Sequence, residues 1–176
     1  MTGKRVCAAS KQMTGAANDQ MRHPGTGCNY TIRRARLQDI ATLTSLLYLL
    51  FSVEEDFTFD KSRQEQGLAL LLENERCRVL VAEIDSCVVG MCSGQLTISS
   101  AEGRVALLVE DVVVAKKWRG MGIGTALLDN IAFWATERGV NRMQLLADRC
   151  NAAALHFYKQ LGWQQTRLIC LRKYAV

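Results

Sequence analysis

Over 37–51 the apolar residues Ile40, Leu43, Leu47 and Leu50 recur at spacings of three and four, the period of an amphipathic helix. Asp39 near the start suits a helix N-terminus. Ahead of it, YTIRRA (30–35) reads as a short strand. SVEEDFTFD (52–60) then alternates carboxylates with Phe57 and Phe59, whose rings serve as core anchors or as the wall of a pocket. A second helix is expected over 61–73. Residues 78–84 (RVLVAEI) and 88–98 read as strands about the turn Asp85-Ser86, and 99–103 makes the next turn. A third strand follows over 105–114 (VALLVEDVVV), too β-branched to favour helix.

The pattern changes after Ala115. Ile123, Leu127, Ile131 and Trp134 follow helical spacing over 122–138, and Gly139 sits where a left-handed C-terminal cap belongs. MQLLA (143–147) predicts a short buried strand. Asn151 caps a helix over 152–161 that Gly162 ends, and 163–171 is expected to close the chain as a strand. The order β-α-α-β-β-β-α-β-α-β predicts one mixed α/β sheet with helices on both faces and no internal repeat.

Composition narrows the function classes. A chain of 176 residues that is 49% hydrophobic and 22% charged suits one globular domain. Its net charge of +5 is uneven: Lys4, Arg5, Lys11 and Arg22 against Asp19 give residues 1–29 a net +3, leaving +2 for 30–176. The folded part therefore lacks the basic excess of a nucleic-acid footprint. Polar and rich in Gly and Ala, 1–29 reads as a mobile tail ahead of a domain over 30–176. No stretch approaches the roughly 18 consecutive apolar residues of a membrane span. Seven cysteines without a CxxC pair and two distant histidines give no zinc pattern, so no metal is expected. The odd cysteine count points to reduced thiols and a cytoplasmic location.

The chemistry concentrates in KKWRGMGIG (116–124), which opens the helix over 122–138. A helix N-terminus presents unpaired N–H groups and the positive end of its dipole, and glycines let an anion approach the backbone. Lys116, Lys117 and Arg119 add charge, so the stretch suits phosphate. No lysine separates Gly124 from Thr125, which excludes a Walker loop. Thr125 also stands where G-x-G-x-x-G needs its third glycine, and little chain follows Asp148 for a dinucleotide fold.

Arg119-Gly-Met-Gly-Ile-Gly124 resembles the R/Q-x-x-G-x-G/A signature of the GNAT superfamily of acyl-CoA-dependent N-acetyltransferases. VEDVVV (109–114) resembles that family's splayed strand. Asn151-x-x-Ala154-x-x-x-Tyr158-x-x-x-Gly162-Trp163 resembles its N-x-x-A…Y-x-x-x-G-F ending, with Trp for Phe. The resemblance implies a single GNAT-like domain: a mixed six- to seven-stranded sheet with a splayed central strand pair. It implies transfer of an acetyl group from acetyl-CoA to a primary amine of a small molecule or a peptide, by direct attack in a ternary complex. A cofactor-binding module of the same fold without turnover is the rival reading. A homodimer is left open, since the family often pairs through its last strands.

Carried onto this sequence, the resemblance assigns cofactor binding to the strand residues Val112, Val113 and Val114 and to the loop residues Arg119, Gly120, Met121, Gly122, Ile123, Gly124 and Thr125. It adds Asn151, Ala154 and Tyr158. The Val112 N–H would polarise the thioester carbonyl. Tyr158 would protonate the leaving thiolate, holding its proton at neutral pH because a phenol ordinarily titrates near 10. Its plainer reading is a half-buried aromatic. Glu110 stands where some relatives keep a base, and would act as base or amine-binding carboxylate rather than in a structural ion pair. Asp111, expected on the opposite sheet face, competes with it. Residues 51–85 carry nine acids against Lys61, Arg63, Arg76 and Arg78, so Glu54, Asp56 and Asp60 would draw a cationic acceptor or simply solvate a surface.

Overall fold

The structure, a computed structural model, describes residues 21–22, 29–53 and 58–174. Most of the expected tail, together with Glu54, Asp56 and Phe57, lies outside the described residues.

A six-stranded sheet runs in the order β1 (Met21–Arg22), β2 (Thr31–Arg34), β3 (Cys77–Ile84), β4 (Cys87–Ser99), β5 (Arg104–Val114) and β6 (Met143–Leu145). The neighbours are antiparallel except β5 and β6, which are parallel. Helix α1 (Ile40–Phe51) follows a short 3-10 turn at Leu37–Asp39, and α2 is Lys61–Glu73. Helix α3 (Ile123–Thr136) crosses from β5 to β6, and α4 (Ala152–Gln160) follows β6.

Two apolar layers flank the sheet, as the order of elements predicts. On one side Ile123, Leu127, Ile131 and Trp134 of α3 are buried against Leu80, Ala82, Leu107 and Val109. On the other, Leu43, Leu46 and Leu47 of α1 with Leu68 of α2 pack on Val79, Val81, Met91 and Val113. Arg33 fastens the start of α1 to the sheet. Its guanidinium meets the Asp39 carboxylate at 2.8 Å and Glu83 at 2.6 Å, and Asp39 also accepts the Arg36 N–H at 2.7 Å. The turn between β3 and β4 places both Asp85 (φ 46°) and Ser86 (φ 63°) in the left-handed region, the pairing whose twist suits a two-residue hairpin.

The decisive irregularity lies in β5. Met91 pairs with Val113 but Ser93 pairs with Glu110, so β5 carries one more residue than β4 between these two pairs. Asp111 absorbs the extra step at φ 53°, a left-handed conformation that Asp tolerates better than most residues. The bulge resets the alternation of side chains. Leu107 and Val109 face the α3 layer before it, whereas Val112 and Val114 face that layer after it and Val113 faces α1 and α2. The expectation that Asp111 points away from Glu110 is therefore corrected. Both carboxylates lie on the α1 and α2 side.

The expected strand over 163–171 is also corrected. No ladder forms there, and the chain runs exposed through Leu168, Ile169 and Leu171. Its natural partner, β6, ends at Leu145 rather than Ala147 and offers only three residues to pair with. The sheet reaches six strands only with the two-residue β1.

Candidate functional site: a glycine loop, a strand gap and an acidic cavity

The parallel ladder between β5 and β6 consists of Leu107 with Met143, Leu108 with Gln144 and Val109 with Leu145. Strand β5 continues to Val114 while β6 stops, so a gap opens from Glu110 onward. This is the splayed pair that the family resemblance of 109–114 implies. Peptide groups in such a gap keep hydrogen-bonding capacity for an extended ligand.

Beyond the gap the chain makes a 3-10 turn at Lys116–Trp118 and enters α3. Gly120 (φ 77°) and Gly122 (φ 76°) are both left-handed, which side-chain-bearing residues adopt at a cost of about 1 kcal/mol. Gly122 is the N-cap of α3 and provides no side-chain cap. The first helical bond runs from Ala126 N–H to the Gly122 carbonyl at 3.0 Å. The N–H groups of Ile123, Gly124 and Thr125 therefore point off the helix end, where an anion is stabilised.

The loop is braced from several sides. Arg119 donates its Nε–H to the Val114 carbonyl at 2.9 Å, tying the loop to the end of β5. Lys117 lies over the Trp118 ring, 4.8 Å from its centroid. The Tyr30 hydroxyl lies 3.6 Å from where a Cβ on Gly122 would stand. Gly124 has a different reason to be glycine: a Cβ there would meet the Phe157 ring of α4 at 3.1 Å. Helix α4 thus seats directly against the first turn of α3.

That seating sets Tyr158, the residue after Phe157, on the α3 side of the sheet. Asn151 caps α4 by accepting the Ala154 N–H at 3.0 Å, as expected, which fixes the helix start. Tyr158 is half-buried, tilted against Phe157 at 5.3 Å and edge-on to Trp163 at 6.0 Å, within the layer that contains Val112 and Val114.

On the opposite sheet face a cavity of about 380 Å³ opens between α1, α2 and the bulge. Leu47, Phe51, Leu68 and Leu71 wall it, and Gln95, Cys77 and Asp111 reach it from the sheet. Ser93 donates its hydroxyl proton to Asp111 Oδ2 at 2.8 Å, and Gln95 donates an Nε2–H to Glu110 Oε2 at 2.5 Å. Burial pushes the Asp111 carboxyl up to about 6; the Ser93 hydrogen bond opposes this and the Glu110 charge adds to it. Burial also raises the Cys77 thiol, so this cysteine is no activated nucleophile.

Asp60 caps α2, accepting the Arg63 N–H at 3.0 Å while Gln64 returns a bond to its own N–H at 2.7 Å. Phe59 anchors this entry, edge-on to Tyr48 at 5.1 Å. The structure thus brings Glu110 together with Asp111, Ser93 and Gln95, and keeps Asp60 at the helix entry. Ser93 and Gln95 were not expected at the site, and Asp111 was expected on the other face. Adjacent acids in a strand covered on both faces were the available signal, since an unbroken strand would direct one of them into the α3 layer.

Residues 43–163 match the acetyltransferase (GNAT) family. The chain belongs to that family. This GNAT chain is 25% identical over 142 residues to an uncharacterised N-acetyltransferase, MJ1207, of Methanocaldococcus jannaschii; the match covers 80% of the chain but only 63% of that relative. It is 35% identical over 143 residues to the thialysine N-epsilon-acetyltransferase of Mus musculus, covering 76% of the chain and 83% of the relative. The fold is shared with the crystal structure of a possible acetyltransferase from Clostridium difficile 630, at a TM-score of 0.74 and 23% identity, over 84% of this chain and 98% of that one. Among the described residues no helix is long and apolar enough to cross a membrane.

Proposed function

We propose that this GNAT chain transfers an acetyl group from acetyl-CoA to a primary amine by direct attack within a ternary complex. The observation that carries the reading is the opening of β5 from β6 beside an uncapped, glycine-lined helix N-terminus, with a carboxylate-bearing cavity across the sheet. The pyrophosphate of the cofactor rests on the N–H groups of 120–125, and Arg119 holds that loop in shape through Val114. The pantetheine arm lies along Val112, Val113 and Val114, with Asn151 and Ala154 at the start of α4 on its other side. Met121 and Ile123 fill out the loop.

The chemistry follows from three needs. The amine must lose a proton before it attacks, and Glu110, oriented by Gln95, accepts it. The carbonyl oxygen gains charge as the carbon becomes tetrahedral, and the Val112 N–H receives it. The C–S bond then breaks and the Tyr158 hydroxyl supplies the proton that the departing thiolate takes. Asp60, at the entry to α2, lends the approach a negative field for a cationic acceptor. Small amines, including an amino acid side-chain amine such as the mouse relative's name describes, are the favoured acceptors.

Calorimetry with acetyl-CoA, paired with a free-thiol assay against a panel of primary amines, tests this. Binding together with amine-dependent CoA release is expected. Binding with no release for any amine assigns the chain to the rival class, a cofactor-binding module without turnover.

A further inference from the structure

Helix α2 turns Gln64, Gly67, Leu68 and Leu71 toward the cavity, the spacing of a core-facing stripe. At such positions a helix ordinarily buries an apolar side chain. Gly67 instead leaves open space: a Cβ built on it meets no atom within 4 Å. Its conformation does not demand glycine, because it lies in the helix interior with φ outside the left-handed region. A mid-helix glycine weakens the helix and forgoes burial, with nothing in local packing to require it. The cavity is kept open at the expense of α2.

The cavity is also polarised. Its floor is Asp111, beside Glu110 on the same face, and its walls are Leu47, Leu68 and Leu71. At the exposed first turn of α2 it is lined by Arg63, whose guanidinium makes no ion pair among the described residues. An anionic floor, an aliphatic wall and a cationic rim match a linear molecule with an amine at one end and a carboxylate at the other.

We infer that this cavity is the acceptor site and that it takes an ω-amino acid, its amine on Asp111, its methylenes in the space left by Gly67 and its carboxylate at Arg63. This deepens the transferase reading and rests on it for the direction of attack: the amine reaches the strand gap from the face opposite α3. Arg63 selects against diamines, whose second cation would meet it.

Binding and turnover separate the two readings. Into protein saturated with CoA, calorimetric titration of 6-aminohexanoate should give binding that is weaker by about tenfold or more in Gly67→Leu, in which the new side chain occupies the arm's space, and in Asp111→Asn, which loses the charge partner. The Gly67→Leu protein should keep its CoA affinity and melt no lower than the wild type, which excludes misfolding. In turnover, kcat/KM should rank 6-aminohexanoate above hexylamine and above 1,6-diaminohexane, and Arg63→Ala should shrink the first preference by about threefold to tenfold. Unchanged 6-aminohexanoate binding in Gly67→Leu, or preference for the diamine, overturns the inference even if acetyl transfer is observed. Selective 6-aminohexanoate binding without CoA release sinks the transferase reading and leaves the cavity assignment standing.

Discussion

Two carboxyls in this molecule are displaced in opposite directions, and each displacement marks a different job. The Arg33 guanidinium beside Asp39 holds that carboxyl below the usual range, so its contribution to stability is present above the ordinary carboxylate pKa and fades as acid titrates the folded protein. Burial pushes Asp111 up to about 6 from 3.8. A raised carboxyl binds its proton more tightly in the folded state, so the sign reverses. The part of the stability that Asp111 governs should fall as pH rises between these values, by on the order of 3 kcal/mol, and level off above about 6. Asp111→Asn should flatten that slope in urea titrations across the window; an unaltered slope would show that Asp111 is not the group responsible. Capture of a cationic amine needs the ionised form, so kcat/KM for the acceptor should climb as pH passes about 6. A site that is less stable when ready to bind is what a functional carboxylate in an apolar setting predicts. Tyr158 makes the complementary test. Tyr158→Phe should keep CoA affinity while kcat drops by about a hundredfold, and a wild-type rate would remove its role as acid.

At the scale of elements, periodicity was enough to predict nearly every helix and strand, because each covers one face of the sheet and its pattern is local. The 61–73 helix and the 105–114 strand emerged within a residue of their expected bounds. The bulge was not legible, since it depends on the register between β4 and β5, which sets Ser93 against Glu110 and leaves no mark in the periodicity of either strand. Its position decides which face the acids take: without the extra residue at Asp111, one of the two would enter the α3 layer. The seating of α4 on α3 is a second such relation, visible only as Gly124 against Phe157. Gly124→Val should force α4 outward, since even the first added carbon, the Cβ, would stand 3.1 Å from the Phe157 ring. Overpacking of this kind costs about 1–3 kcal/mol, and displacing Tyr158, the proposed proton donor, is expected to lower kcat by about tenfold to a hundredfold. A variant that melts lower yet turns over normally would show that the position of α4 does not set the rate.

For the whole molecule, what the sequence conveyed best was the geometry of the proposed cofactor half, where the loop, its helix and the strand before it are contiguous in the chain. The proposed acceptor half is assembled from α1, α2 and three strands, so no stretch of sequence spells it out. The same limit explains the closing segment: 163–171 has strand-like composition, but a strand exists only with a partner edge, and β6 supplies three residues. Because the cofactor loop draws on β5, α3, α4 and Tyr30 at once, occupancy of that loop should stabilise the fold as a unit. Ligand at a hundred times its Kd adds about 2.7 kcal/mol to the folded state. For a chain of this size that corresponds to a rise in Tm of about 5–10 °C. Gly122→Asp, which sets a side chain and a negative charge where phosphate rests and strains a left-handed position, should remove the CoA-induced rise while the unliganded protein still melts cooperatively. Differential scanning calorimetry with and without CoA decides the matter. An equal rise in both proteins would place the diphosphate elsewhere, and the strand gap would then have no cofactor to receive.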